Sequence, residues 1–266
     1  MLNPYLARDT GFIRLCGHRG HNLTSPENTF PAFRIAKELG ASSLEIDTVL
    51  SADNQIVVLH DLLLDRTTNG KGAANRMMAA DIAQLDAGGW YAPAYAGTRV
   101  PTLRQTIDLA HELDMVLEVE IKEKLNHDAY YEALAALLQP ADMDRVMMIS
   151  FDHKSLKDVK ARIPGLRTGG IVHERYADPV TVARISDLDE LCIDLDVFHP
   201  DDAAKLHAAG IAIRCHAYKP STLVRAREAG FQWDTALAQY LRSGLIDTLS
   251  GDDVGWLREF TEKALA

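Results

Sequence analysis

The chain has 266 residues and a mass of 29.4 kDa; 47% hydrophobic and 25% charged residues exclude a disordered or low-complexity chain and suffice for a sizeable core in one large or two small domains. A formal charge of −10, from 28 Lys and Arg against 38 Asp and Glu, repels polyphosphate backbones and argues against a general nucleic-acid binder. No apolar run reaches the roughly 18 residues of a transmembrane helix, Met1–Thr10 has no basic-then-apolar signal pattern, and Cys16, Cys192 and Cys215 suit buried thiols, so a cytoplasmic protein is expected.

Short apolar runs alternate with helical periodicity along the whole chain. Ile13–Gly17 reads as the first strand and Thr29–Leu39 as the first helix. Strands Ser43–Leu50 and Ile56–His60 follow, then a glycine-rich stretch, Asp65–Pro101, with a helical piece near Asp81–Leu85, and the helix Leu103–Leu113. Further strands are predicted at Met115–Lys122, Arg145–Ser150, Leu166–Val172, Glu190–Leu195, Ile211–Ala217 and Gly244–Leu249. Helical segments between them include Asp128–Leu138, His153–Ile163, Pro200–Ala209 and Pro220–Ala229. Such alternation argues for an α/β fold with a parallel sheet and right-handed crossovers. Only Ser51–Gln55 joins Leu50 to Ile56, too short for a crossover, so Ile56–His60 is a hairpin arm after strand two. Without the arm, eight strands remain, the number that closes a TIM (β/α)8 barrel of about 250 residues. The expected organisation is a single domain over 1–266, with 65–101 as a small insertion over the active-site mouth. A turn centred near Asp53 and Asn54 puts Asp47 opposite His60.

In such a barrel the chemistry lies at the carboxyl ends of the strands. Strand one delivers His18 and Arg19. Strand two carries Glu45 and Asp47 on one face, and the arm ends in His60-Asp61. The strand 115–122 carries Glu118, Glu120 and Lys122, again at spacing two. An interior receiving several carboxylates needs a compensating cation, and hard oxygen donors suit Mg²⁺ or Ca²⁺. With His18, Arg19 and Lys122 as the cationic set, the site is built for an anionic substrate, phosphate above all. Gly70-Lys71-Gly72 lacks Walker spacing and reads as a tight turn. Asn28 reads as a cap for the helix starting near Thr29.

Eight blocks in order over Gly17–Asp152 carry a resemblance: Gly17-His18-Arg19-Gly20, Pro26-Glu27-Asn28-Thr29, Leu44-Glu45-Ile46-Asp47, Val57-Val58-Leu59-His60-Asp61, Leu64–Gly72, Val100-Pro101-Thr102-Leu103, Glu118–Lys122 and Ser150-Phe151-Asp152. With them the sequence resembles the glycerophosphodiester phosphodiesterase family, related in fold to the phosphatidylinositol-type phospholipases C. The resemblance implies that His18 and His60 are the acid–base pair, that Glu45, Asp47 and Glu120 hold one divalent cation, and that Arg19 and Lys122 contact phosphate. It leaves Glu118 as a fourth ligand or a group reaching the metal through water, and it has Glu27, and with it Asn28 and Asp61, orienting the site from behind the ligands. His216 stands where the family commonly has Trp, so a polar group replaces an apolar plate in the substrate pocket. Phe231–Ser243 is a segment that the family usually lacks, and it delays the last strand. His21 is a candidate to line the site and His153 to start the helix after Ser150, whereas His111, His127, His173, His199 and His207 are expected on solvent or helix surfaces.

The implied reaction is metal-dependent hydrolysis of a small-molecule glycerophosphodiester to glycerol 3-phosphate and an alcohol. Attack by the glycerol hydroxyl through a cyclic phosphate and direct attack by water both satisfy this sequence. One alternative is the same chemistry on another head group or a lysophospholipid, with Trp90, Tyr91 and Tyr95 of the insertion covering the ligand. A second is a metal-dependent barrel of the enolase or aldolase kind, against which the paired histidines argue. A silent phospho-ligand binder would be expected to lack a histidine or carboxylate, and none is missing. The oligomeric state stays open.

Overall fold

The structure is a computed structural model that describes residue 3 and residues 5–266; Met1, Leu2 and Pro4, within the stretch read for a signal pattern, lie outside the described residues. Among the described residues nine strands form one sheet: β1 (Arg14–His18), β2 (Ser43–Leu50), β3 (Ile56–Val58), β4 (Val116–Ile121), β5 (Val146–Ser150), β6 (Arg167–Val172), β7 (Glu190–Asp194), β8 (Ala212–His216) and β9 (Thr248–Gly251). Their order is β1-β9-β8-β7-β6-β5-β4-β2-β3. A further β1–β2 pairing closes eight of them into a parallel barrel, and β3 lies antiparallel on β2. This is the TIM barrel the alternation predicts.

Period two sorts each strand. Leu44, Ile46, Leu117 and Val119 join Phe33 and Ile107 in the apolar layer between strands and helices. Their neighbours Glu45, Asp47, Glu118 and Glu120 therefore face the barrel interior, which explains why every residue of β2 is buried. Lower in the barrel, Tyr5 and Leu6 pack with Met147, Ile149, Ile171, Cys192 and Ala212. All three cysteines are buried and free. Among the described residues no helix is long and apolar enough to cross a membrane.

Three local differences from the sequence reading have physical causes. The hairpin pairs Thr48 with Val58 and Leu50 with Ile56. Its turn is therefore centred on Asp53, with Asn54 in the left-handed region at φ 56°, and Leu59 N–H donates to Asp47 O at 2.9 Å. Asp47 thus opposes Leu59, one short of His60. The last strand is Thr248–Gly251 and not Gly244–Leu249. The segment 231–243 is largely the helix Trp233–Arg242, with Leu237 and Leu241 buried, and Gly244 is the left-handed residue that follows it. The expected helical piece of the insertion lies at Ala79–Ile82.

The insertion has its own small core, in which Leu64, Ala74, Ile82 and Val100 pack on Val49, Val57 and Leu59 of the hairpin. The Tyr91 and Tyr95 hydroxyls donate to the carbonyls of Leu23 and Thr24. These contacts hold it beside the mouth, against the hairpin arm and the loop after β1.

Candidate active site

A cavity of about 370 Å³ opens at the carboxyl ends of the strands. Its lining includes His18, Arg19, Glu45, His60, Glu120 and Lys122, and from the other side Phe151, His173, Asp194, Arg214, His216 and Tyr218. Trp90, Tyr91 and Tyr95 are not part of that lining.

Register explains the convergence of carboxylates. His18 pairs with Glu45 across β1 and β2, and Asp47 pairs with Glu120 across β2 and β4. Glu45, Asp47 and Glu120 each offer an oxygen, and the three lie within 4.8 Å of one another. Lys122 Nζ is 2.7 Å from Glu120 Oε1 and 3.4 Å from Asp47 Oδ1, and Arg19 Nε is 3.1 Å from Asp47 Oδ2. Two cations still leave the trio under-compensated. Burial, then the Asp47 charge, pushes Glu45 up to about 8; burial, then Glu45 and Asp47, pushes Glu120 up to about 7. Burial opposes ionisation of Asp47 as well, but Arg19, Lys122 and His60 outweigh it and hold that carboxyl low. Asp47 Oδ1 is buried and makes no hydrogen bond. A buried carboxylate oxygen without a hydrogen bond, among all-oxygen donors, fits a hard divalent cation, which would restore the charge balance of all three.

Both imidazoles are oriented through Nδ1. His18 Nδ1 is 2.7 Å from Asp252 Oδ1, leaving Nε2 3.8 Å from Glu45 Oε2. His60 Nδ1 is 2.6 Å from Asp61 Oδ1. Asp61 is tied to Arg66, which with His60 brings its carboxyl down to about 2 despite burial. Arg66 also bridges to Glu27, and Glu27 binds Arg19 Nη1 at 3.0 Å. Glu27 therefore touches Arg19 and Arg66 and not the trio. Asn28 has a left-handed backbone (φ 58°) and donates Nδ2–H to Asp47 Oδ2 at 2.8 Å. Thr29, not Asn28, precedes the helix Phe30–Glu38 at its cap. Asn28 is thus spent on holding a carboxylate.

Glu118 lies one layer deeper than Glu120 and is taken by Arg214, with Nη1–Oε2 at 2.5 Å, both groups almost fully buried. Arg214 Nε also donates to Ser250 Oγ at 3.0 Å. This interior pair answers the charge of Glu118 without a metal. Fully buried Glu190 shares the layer, and burial followed by the Glu118 charge pushes it well above the carboxylate range. His216 does line the cavity. Its ring stands edge-on to that of His18, centroids 5.1 Å apart, and its Nδ1 lies 3.2 Å from Ser250 Oγ. Burial, then His18 and Arg214, drops His216 to about 3, so it is neutral at ordinary pH.

Several site residues escape a motif reading. Asp252 is held by His18, by Asn22 Nδ2 at 2.6 Å and by Lys219 Nζ at 3.1 Å, and these partners keep it below the usual carboxylate range against the opposing effect of burial. It continues the inward series Thr248, Ser250, Asp252 of β9, so period two, applied to the observed strand, points to it. His173, expected on a surface, is 62% exposed yet lines the cavity and binds Asp194 Oδ2. His153 binds the Ile171 carbonyl, while Asp152 caps the helix His153–Arg162. His21 is buried, accepts from Val254 N–H and stands outside the lining.

The family model described as "Glycerophosphoryl diester phosphodiesterase family" matches residues 18–236. A glycerophosphodiester phosphodiesterase of Caldanaerobacter subterraneus subsp. tengcongensis is 39% identical over 154 residues, 57% of this chain and 63% of that protein. One from Bacillus subtilis is 30% identical over 191 residues, 66% and 65% of the two chains. The chain thus spans just under two-thirds of the length of these relatives. Among solved structures, an Oleispira antarctica phosphodiesterase in complex with the product sn-glycerol-3-phosphate superposes with a TM-score of 0.80 at 24% identity, over 96% of this chain and 98% of the other. An Agrobacterium tumefaciens glycerophosphodiester phosphodiesterase gives 0.77 at 24%, over 94% and 100%.

Proposed function

The chain belongs to the glycerophosphoryl diester phosphodiesterase family, and from that premise we propose that it hydrolyses glycerophosphodiesters to glycerol 3-phosphate and an alcohol. The observation that carries this reading is one cavity lined by two carboxylate-oriented imidazoles, Arg19 and Lys122, with three carboxylates gathered at one edge. Glu45, Asp47 and Glu120 would hold one Mg²⁺ or Ca²⁺. When bound, that ion supplies Lewis-acid stabilisation of charge on the phosphoryl oxygens.

The protein's own groups do the rest. Arg19 and Lys122 bind the diester anion and meet the charge that grows in the transition state. His18 and His60 divide the proton work: one accepts the proton of the attacking hydroxyl and the other donates to the leaving alcohol oxygen. Asp252 and Asp61 each accept an Nδ1–H, which fixes the tautomer and leaves both Nε2 atoms for this exchange. Asn28 and Glu27 hold Asp47 and Arg19 in place.

The test is hydrolysis of glycerophosphocholine after EDTA, with Mg²⁺ or Ca²⁺ restored. Activity lost on chelation and recovered on restoration is expected, and Glu45→Gln should abolish activity and calorimetric metal binding together. Full turnover in EDTA would overturn the metal role. One observation favours lysophospholipids as a second substrate class. A largely apolar groove of about 340 Å³, lined by Leu50, Leu62, Leu63 and Leu125 with Asn75, Arg76 and Glu123 among them, is built mostly from residues that follow His60 and Lys122 closely in the chain. Hydrolysis of lysophosphatidylcholine in preference to glycerophosphocholine would decide for that reading.

A further inference from the structure

We infer that Arg66 is a positioning residue: through Asp61 and Glu27 it fixes His60 and Arg19 relative to each other, so that the insertion sets the geometry between the proton-moving imidazole and the phosphate-binding cation. This rests on the phosphodiesterase reading above, which gives His60 and Arg19 those roles. Arg66 is not part of the cavity lining, and neither are Asp61 and Glu27. Arg66 therefore acts through other side chains and not on the substrate.

One guanidinium holds both carboxylates by its edges. Nε donates to Asp61 Oδ2 at 2.6 Å and Nη2 to Asp61 Oδ1 at 3.1 Å. Nη1 donates to Glu27 Oε2 at 2.8 Å and Nη2 to Glu27 Oε1 at 2.8 Å. Each carboxylate passes the hold on: Asp61 Oδ1 also takes His60 Nδ1 at 2.6 Å, and Glu27 Oε1 also takes Arg19 Nη1 at 3.0 Å. The chain His60–Asp61–Arg66–Glu27–Arg19 is thus continuous, and both of its ends line the cavity. Paired fork contacts fix angle as well as distance, which the point charge of a lysine does not. Burial opposes ionisation of Glu27, and Arg66 followed by Arg19 outweighs it; Arg66 is also the main influence that brings Asp61 down to about 2. Both carboxylates are therefore charged partners for the fork.

The backbone that carries Arg66 is fixed. Leu64, Thr67 and Thr68 on either side of it are buried, and Leu64 belongs to the insertion's small core. Thr68 donates both its N–H and its hydroxyl to the Leu64 carbonyl, which closes a turn around Arg66, and Leu64 N–H donates to the Gly72 carbonyl. The two carboxylates come from separate segments: Glu27 from the loop after β1 and Asp61 from the end of the hairpin arm, 39 and 5 residues from Arg66. Arg66 pins those segments at one point. Trp90, Tyr91 and Tyr95 stand outside the cavity lining, so the insertion serves the site through Arg66 and not as a lid. The Arg66 side chain is 43% exposed, so a small cation can reach the place that a truncated side chain leaves.

The experiment measures kcat and KM for glycerophosphocholine, with the divalent cation restored, in the parent, in Arg66→Ala, Asp61→Asn and Glu27→Gln, and in the two doubles that add Arg66→Ala to a carboxylate variant. Arg66→Ala is expected to lower kcat about 10–100-fold and to raise KM several-fold, because it loosens both carboxylates. In the Asp61→Asn protein the same change should move KM alone, and in the Glu27→Gln protein kcat alone, since the route to the other group is already cut. Guanidinium ion, at concentrations far below those that unfold proteins, should restore part of the kcat of Arg66→Ala and do nothing for Asp61→Asn. Arg66→Lys keeps the charge and loses the fork; it should show the same pattern at reduced size, and it carries the test if thermal unfolding shows Arg66→Ala to be misfolded. Parental kcat and KM in Arg66→Ala, a loss of the same size in the parent and in both carboxylate variants, or a loss that guanidinium leaves untouched would overturn the bridge. A parent that hydrolyses no diester, while the exchange of the His60 Nδ1 proton seen by NMR still depends on Arg66, would sustain the bridge and overturn the phosphodiesterase reading.

Discussion

The first half of the rim, β1 to β4, gathers three carboxylates, Arg19, Lys122 and two imidazoles at one edge of the cavity, whereas β6 to β9 contribute polar groups one strand at a time. The difference lies in how each half satisfies its charges. On the first side like charges are forced together and stay under-compensated, as the raised Glu45 and Glu120 carboxyls record. On the second side the polar groups at the mouth have partners from other elements, His173 with Asp194, His216 with Ser250, Arg214 with Glu118, Asp252 with His18 and Lys219, and the unpaired Glu190 lies deeper in the barrel. An unsatisfied cluster is suited to chemistry, and a satisfied one to positioning.

Removing an imidazole is the hardest test of that division. His18→Ala and His60→Ala are each expected to lower kcat by about 10²–10⁴-fold with circular dichroism unchanged. His216→Ala, on the other side and in ring contact with His18, is expected to cost about tenfold or less. Steady-state kinetics with one glycerophosphodiester separates the cases. A His216→Ala loss equal to that of His18→Ala would erase the distinction between the halves.

The second test concerns stability. Arg214 and Glu118 are 3% and 1% exposed, so Arg214→Ala leaves an uncompensated buried carboxylate. A loss of about 3–5 kcal/mol is expected in urea unfolding. Arg214→Met combined with Glu118→Leu should recover most of it, because an apolar pair of similar volume has no charge to desolvate. If the single variant were as stable as the parent, the pair would contribute nothing to holding this half together.

This contrast also explains what was legible in the sequence. Eight strands and the hairpin could be read from periodicity and from the brevity of Ser51–Gln55, because a covered parallel barrel demands alternation everywhere. Glu45 and Asp47, and Glu118 and Glu120, announced themselves as charged pairs at spacing two. Arg214 and Asp252 could not, because each is the lone charge on its stretch of inward face and its partner is distant in sequence; Arg214 and Glu118 are 96 residues apart. Asp252 was further hidden by the shift of the last strand, since a strand ending at Leu249 stops three residues short of it. The one-residue error at Asp47 and His60 has a local origin: the left-handed Asn54 closes an odd-numbered turn, and β3 ends at Val58, after which the chain bends and still delivers His60 to the cavity.

Asp252 joins the two halves, standing on β9's carboxyl end with its carboxylate on His18. Asp252→Asn is expected to lower kcat about 10–100-fold with KM changed less than threefold, since it disturbs the tautomer and aim of His18 and leaves the cations Arg19 and Lys122 in place. Stopped-time assays at saturating and limiting substrate separate kcat from KM. An increase in KM alone would assign Asp252 to substrate binding.

The smallest expected effect is a pH slope carried by His216. Unfolded, this imidazole takes up a proton near pH 6.5; folded, burial, then His18 and Arg214, hold it neutral down to about pH 3. Between those values the unfolded state binds the extra proton, so the group subtracts stability as pH falls from 7 toward 3. Glu45 and Glu120 work in the opposite sense. Raised to about 8 and about 7, they are protonated in the fold before they are in the unfolded chain, so the metal-free protein gains stability from them as pH falls to about 4.5. The two contributions partly cancel in the parent, and only a difference isolates His216. His216→Gln leaves the carboxylates in place and presents a hydrogen-bonding amide to Ser250. The variant's stability relative to the parent should rise by about 1–2 kcal/mol between pH 7 and pH 5, measured by urea unfolding without metal. Parallel pH curves for the two proteins would mean that His216 takes up its proton as readily folded as unfolded, and that the second half of the rim is as open to water as the first.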